Sequence, residues 1–251
     1  GQDCAQYALG KIYRDGQGVE KDIQKAVALF TLAATKENSF AAFALGKLYL
    51  AGDAALPRDP AAALKWLTYA AELGNQFAQY RLGKLLLKGD DGIPKDVITA
   101  IRWLTAAAKQ ENGYAEYALA LVYLTGEDAP KDSVKALSLL KRSAGRGNQF
   151  AQYRLGKLLL QGEDAPKDVK AAIRWLTAAA EQGNQYAQYA LGKLYLLGKE
   201  VPKDRSSAIK WFQLAADQGN EYAQYFLKHM DDRLGQPPVA AVISLFHHLA
   251  N

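Results

Sequence analysis

The chain has 251 residues, 49% of them apolar and 23% charged, with a formal net charge of +5. That balance supports a packed fold and excludes a disordered chain, which would bury too little apolar surface to offset the entropy of ordering. A single cysteine, Cys4, excludes an internal disulfide framework and a multi-cysteine metal cluster, and no apolar run approaches the roughly 18 residues of a membrane span. A reducing compartment, the cytoplasm, is the expected location, and the mild positive charge permits an acidic partner.

The chain opens inside its first predicted helix, with Gly1 and no initiator Met, so a longer parent protein is expected. That helix carries Ala5-Gln-Tyr-Ala-Leu, and the same Ala-x-aromatic-x-Leu core returns at Ala41, Ala78, Ala115, Ala151, Ala187 and Ala223, in steps of 36 or 37 residues. A second marker, two apolar residues followed after two positions by a small residue and Ala, keeps the same beat from Leu29 through Trp66, Trp103, Leu139 and Trp175 to Trp211. Segment 75–87 recurs letter for letter at 148–160. A fixed period of this size is the signature of stacked repeats.

Within a period both halves read as helix. Ala78, Leu82, Leu85 and Leu86 make one apolar stripe, and Ala63, Leu67, Ala70 and Ala71 make another. Asn38, Asn75, Asn112, Asn148, Asn184 and Asn220 stand where the first helices of the later repeats begin. Asp22, Asp59, Asp96, Asp132, Asp168 and Asp204 stand at the starts of the second helices, and both residue types are strong N-caps. Gly74, Gly147, Gly183 and Gly219 suit left-handed ends of second helices, and Gly16, Gly52, Gly89, Gly126, Gly162 and Gly198 end the first helices. A mid-helix small residue (Gly10, Gly46, Gly83, Ala120, Gly156, Gly192) predicts close approach of the paired helix. The four tryptophans are expected to fill the core or the seams between repeats.

Nothing in this pattern carries catalysis. The six Asp recur once per repeat, as caps do and catalytic groups do not, and Gly83-Lys84 and Gly156-Lys157 lack the other residues of a phosphate loop. His247 and His248 are sequence neighbours that point apart on a helix, and His229 is distant in sequence, so no metal site is expected. No enzyme activity and no cofactor are expected.

The recurring Ala-Gln-Tyr-x-Leu-Gly-x-x-Tyr, the Gly-rich loop ending in Pro-Lys-Asp, and Trp-Leu-x-x-Ala-Ala-x-x-Gly-Asn resemble the Sel-1-like repeat, a relative of the tetratricopeptide repeat. The resemblance implies an all-α fold: a right-handed α–α solenoid of about six helix-turn-helix repeats whose concave face binds other proteins. The expected organisation is a solenoid over 1–230 and a linker with a C-terminal capping helix over 231–251, since a terminal repeat needs its apolar face covered. Residues 242–249 also resemble the end of repeat regions carried by mobilisation relaxases of Gram-positive gut bacteria. That likeness implies an alternative, an accessory region of a DNA-mobilising protein that recruits protein or DNA.

On a helical wheel Phe77, Tyr80 and Lys84 lie opposite the apolar stripe. By resemblance to the tetratricopeptide arrangement the first helices line the concave side. The candidate partner-binding ladder is therefore Tyr7 with Lys11, Phe43 with Lys47, Tyr80 with Lys84, Tyr117 with Leu121, Tyr153 with Lys157, Tyr189 with Lys193, and Tyr225 with His229. Aromatic rings beside ammonium groups suit a protein or peptide partner, an acidic one in particular, in extended or helical form. Repeat four departs most from the others, at Glu116, Ala120, Leu121, Leu139, Lys141 and Arg142, which marks it as the place to look for local binding.

Overall fold

The helices begin where side-chain caps were expected. In the computed structural model, which describes residues 1–89 and 92–229, all six Asp residues accept a hydrogen bond from the backbone amide three positions on. Asn38, Asn75, Asn112, Asn184 and Asn220 do the same for first helices. Each such bond satisfies one of the four amides that a helix start leaves without a partner, a contribution of about 1 kcal/mol. The Asp amides also donate back to the last turn of the preceding helix, as Asp59 does to the Tyr49 carbonyl at 2.8 Å, and this closes the Pro-bearing loop.

Thirteen helices result among the described residues, with no strand beyond an isolated bridge between Asp53 and Leu56. The chain forms two compact units. Gly1–Asn148 holds α1 (Gln2–Asp15), α2 (Ile23–Ala34), α3 (Ser39–Ala51), α4 (Pro60–Glu72), α5 (Gln76–Lys88), α6 (Val97–Lys109), α7 (Gly113–Thr125) and α8 (Ser133–Gly145). From Gln149 onward come α9 (Gln149–Gln161), α10 (Val169–Glu181), α11 (Gln185–Leu197), α12 (Arg205–Asp217) and α13 (Glu221–His229). Within each unit every helix packs on the next in the chain. The expected linker and capping helix, with His247 and His248, lie outside the described residues.

The turns between repeats are short because one dipeptide serves two helices. At the end of α4 the Gly74 amide donates to the Ala71 carbonyl and the Asn75 amide to the Ala70 carbonyl, both at 3.0 Å, while Asn75 caps α5. This Schellman arrangement recurs at all six second-helix ends and places the first residue of the pair in left-handed backbone, φ 84° at Gly74. In two repeats that residue is not glycine: Glu37 and Glu111 are held at φ 61° and 64°. A left-handed L-residue costs about 1 kcal/mol or more. Glu37→Gly is therefore expected to stabilise the chain by about 1 kcal/mol, a rise of roughly 2–4 °C in a thermal melt followed by circular dichroism.

The core is built from alanines and large residues from both helices of a pair, Leu45 with Leu67 and Leu82 with Leu104 for example. The predicted stripes are buried as expected: Ala63, Leu67, Ala70 and Ala71 in α4, and Ala78, Leu82, Leu85 and Leu86 in α5. Each mid-helix glycine faces the large residue of the paired helix. A Cβ at Gly83 would stand 2.6 Å from Leu104 Cγ, and one at Gly10 the same distance from the Phe30 ring. Of the two places expected for the tryptophans, core or seam, the structure leaves the interior to other residues and packs Trp66, Trp103 and Trp211 half-buried against the core. The deep seat belongs to the residue after each Trp (Leu67, Leu104, Leu176 and Phe212, all fully buried), whereas Trp66, Trp103, Trp175 and Trp211 are half-buried at the edge. An indole is too large for the close crossing that the glycine creates.

Candidate partner-binding face

The ladder rings on the first helices are half-buried at Tyr7, Phe43, Tyr80, Tyr117, Tyr153 and Tyr189, and Tyr225 is exposed. What half-buries them includes a second aromatic one repeat on. Tyr7 meets Phe40 at 6.3 Å between centroids, Phe43 meets Phe77 at 6.4 Å, and Tyr80 meets Tyr114 at 5.9 Å. In the second unit Tyr153 meets Tyr186 at 6.0 Å and Tyr189 meets Tyr222 at 6.1 Å. These spacings suit tilted or offset rings. Phe40, Phe77, Tyr114 and Tyr186 leave about half their surface to solvent, 48–55%.

The second set of rings was missed by reading one helix at a time. Its signal was present: the residue before the repeat's Ala is aromatic in every repeat but the first, where exposed Cys4 occupies the position. The wheel put Phe77 and Tyr80 together on the far side of the helix. The structure separates them, with Phe77 exposed and Tyr80 packed at the seam where its hydroxyl pKa is pushed up, chiefly by burial.

The lysines four residues on lie over these rings. The Lys11 ammonium is 5.0 Å from the Tyr7 centroid, Lys47 is 4.9 Å from Phe43, and Lys84 is 5.9 Å from Tyr80. Such contacts contribute about 0.5–1 kcal/mol at exposed sites. Burial depresses Lys47, and the nearby Arg14 and Arg81 add to this while Asp15 offsets part of it. Leu121, which takes the lysine position in repeat four, is half-buried. At the far rung Tyr225 and His229 stack at 4.1 Å, and His229 Nδ1 lies 2.8 Å from the Tyr225 carbonyl.

Repeat four proves to be internally compensated. In repeats three, five and six a buried glutamine of the first helix accepts from a glutamine at the end of the following second helix: Gln79 from Gln110 at 2.9 Å, and in the second unit Gln152 from Gln182 and Gln188 from Gln218, both at 2.7 Å. Gln79 and Gln188 also donate to the carbonyls of Ala71 and Ala180. In repeat four the buried residue is Glu116, and its partners are arginines. Arg146 Nε donates to Oε2 at 3.2 Å. Arg142 stands 2.6 Å from Oε1 as an ion pair without hydrogen-bond geometry and donates to the Ala108 carbonyl at 3.2 Å. Arg146 also pairs with Glu111 at 3.0 Å. The substitutions that marked this repeat as a place for local binding at Glu116 and Arg142 thus satisfy each other inside the stack.

Among the described residues, no group of three or more His, Cys, Asp or Glu is placed to hold a metal ion, and no helix is long and apolar enough to cross a membrane.

The repeat geometry is matched by a known family. The Sel1 repeat model aligns with residues 5–38, 39–75, 76–112, 113–148, 149–184 and 185–220. The chain belongs to the Sel1 repeat family. Sel1 repeats are generally protein–protein interaction scaffolds. Two solved Sel1-type structures share the α–α solenoid fold. One is c5321, described as a protective antigen of uropathogenic Escherichia coli with an SLR fold; it is 30% identical, with a TM-score of 0.83 over 93% of this chain and 50% of that one. The other is a Sel1 repeat protein from Oxalobacter formigenes, 34% identical with a TM-score of 0.83 over 92% of this chain and 66% of that one. This Sel1 chain therefore spans half the length of the first and just under two thirds of the second. The immunity protein Pa5087 from Pseudomonas aeruginosa, at 18% identity and a TM-score of 0.52 over 94% of this chain and 89% of that one, shares the fold alone. No curated protein matches this chain.

Proposed function

We propose that this Sel1 array is a non-catalytic scaffold that holds a partner protein on its first-helix face, which the family resemblance makes the concave one. The observation supporting this reading is the double row of aromatics: an inner ring packed at each seam and an outer ring left about half exposed at Phe40, Phe77, Tyr114 and Tyr186. Core packing accounts for the inner row. It does not account for keeping Phe or Tyr at six successive outer positions (Phe40, Phe77, Tyr114, Phe150, Tyr186, Tyr222), where a polar residue would dissolve better. Rigid rings give a partner large contact area at little entropic cost, and the lysines beside them add charge.

The partner-contacting set is Tyr7, Lys11, Phe43, Lys47, Tyr80, Lys84, Tyr117, Leu121, Tyr153, Lys157, Tyr189, Lys193 and Tyr225, enlarged by the outer rings. Replacing outer rings tests this with little damage to the core. The triple variant F40S/F77S/Y114S is expected to lower recovery of co-purifying protein at least tenfold while leaving the helical circular dichroism signal in place. Ile98→Ser, on the well-exposed α6 surface, is the control and should leave recovery unchanged. Equal recovery by the triple variant removes this face from the account. Duplex-DNA affinity falling with salt at a log–log slope of about −0.9 per phosphate contact would instead favour the DNA-mobilising alternative.

A further inference from the structure

The second unit holds a cleft of about 870 Å³ with α9, α11 and the start of α13 in its lining. Tyr153, Tyr186, Tyr189 and Tyr222 contribute aromatic surface, and Lys157 and Lys193 contribute cations. Both lysines are half-buried. Burial depresses the Lys157 ammonium and the neighbouring Arg154 depresses it further; burial depresses Lys193, followed by Lys157 and Lys199. Glu200, in the cleft lining, is engaged by Lys167 at 2.8 Å. One buried donor atom in the lining, Tyr189 Oη, also lacks a hydrogen-bond partner.

We propose that this cleft is an acidic-residue pocket, in which an Asp or Glu side chain of a partner peptide sits between Lys157 and Lys193 while its apolar neighbour packs among the tyrosines. The inference rests on the scaffold reading above and names the partner's chemistry at one place on it. Charge complementarity selects this occupant. Two cations that repel each other in a half-dry cleft gain most from a carboxylate, and four tyrosines gain most from an apolar body attached to it. A nucleic-acid strand fits less well, because its run of phosphates could not avoid Glu200 and Glu221 in the same lining, whereas a peptide presents a single carboxylate to the lysines.

The test uses the full chain as bait for a random 12-residue peptide library displayed on phage, followed by fluorescence anisotropy on the strongest selected peptide. Selected peptides are expected to share an Asp or Glu beside a large apolar residue. Changing that acid to its amide, or making K157Q/K193Q, should each weaken binding about tenfold, and the two together should weaken it little more than either alone. A circular dichroism spectrum of K157Q/K193Q matching that of the parent separates loss of binding from loss of fold. Selected peptides without acids, or affinity indifferent to K157Q/K193Q, would overturn the pocket. Sensitivity moved to K47Q/K84Q would overturn the pocket and leave the first-helix face standing, and failure to select any peptide would count against both. An oligonucleotide that binds with the same lysine dependence, in the absence of peptide binding, would also overturn the proposal.

Discussion

The double variant R142A/R146Q is expected to lose about 3 kcal/mol of stability, because it leaves the Glu116 carboxylate buried at 0% exposure without the two cations that face it. The figure belongs to the stranded carboxylate and sits at the low end of the usual range because both arginines are partly open to water. Adding Glu116→Gln should recover most of the loss. The triple variant rebuilds what the neighbouring repeats already have, the amide pair of Gln152 with Gln182 and an alanine, Ala178, at the Arg142 position. The amide nitrogen introduced by Glu116→Gln could then take over the bond to the Ala108 carbonyl, as Gln79 Nε2 does to Ala71 at 3.0 Å. Urea unfolding of the parent, Glu116→Gln, R142A/R146Q and the triple variant measures the coupling by the usual cycle. A double variant within about 0.5 kcal/mol of the parent would mean that water, not arginine, satisfies Glu116.

Gly83→Val is expected to cost about 3 kcal/mol, by overpacking. A Cβ there stands 2.6 Å from Leu104 Cγ and 3.1 Å from the Ala100 carbonyl oxygen; the second of these is backbone and cannot swing aside. Gly83→Ala should cost less, because the roughly 1 kcal/mol by which alanine favours helix over glycine offsets part of the clash. Repeat four, where Ala120 stands at the corresponding position, shows that the array accommodates one such Cβ. Stability in stacked repeats is a sum of repeat and neighbour terms. The loss in Gly83→Val should therefore appear first in the α5–α6 pair, as faster hydrogen exchange there than in the rest of the first unit. Uniform protection across that unit would show that the crossing is not the weak point.

Most of the fold could be read from the chain because its determinants are local. A cap joins residues three apart, a Schellman turn spans six, and the buried stripe of α5 runs from Ala78 to Leu86, so period, helix starts and helix ends were all visible in one repeat. The close crossing at Gly83 was legible for the same reason, as a small residue at a fixed place. Its partner was legible too, since Leu104 repeats Leu67 of the predicted stripe; what only the crossing geometry decides is that the adjacent Trp103 is left at the edge.

What the amino-acid sequence determined by itself was thus an all-helical array of two-helix repeats with Sel1 spacing. Tertiary structure alone decided the character of the candidate face and of repeat four. Tyr80 meets Tyr114, Glu116 meets Arg146, and Gln79 meets Gln110 across roughly one full repeat. A helical wheel sorts the side chains of one helix, whereas these contacts are made between helices. Whether a ring is seam or surface is therefore fixed only when the neighbouring repeat is stacked against it, and whether a charge is a handle or a lock only when the two helices of its own repeat pair.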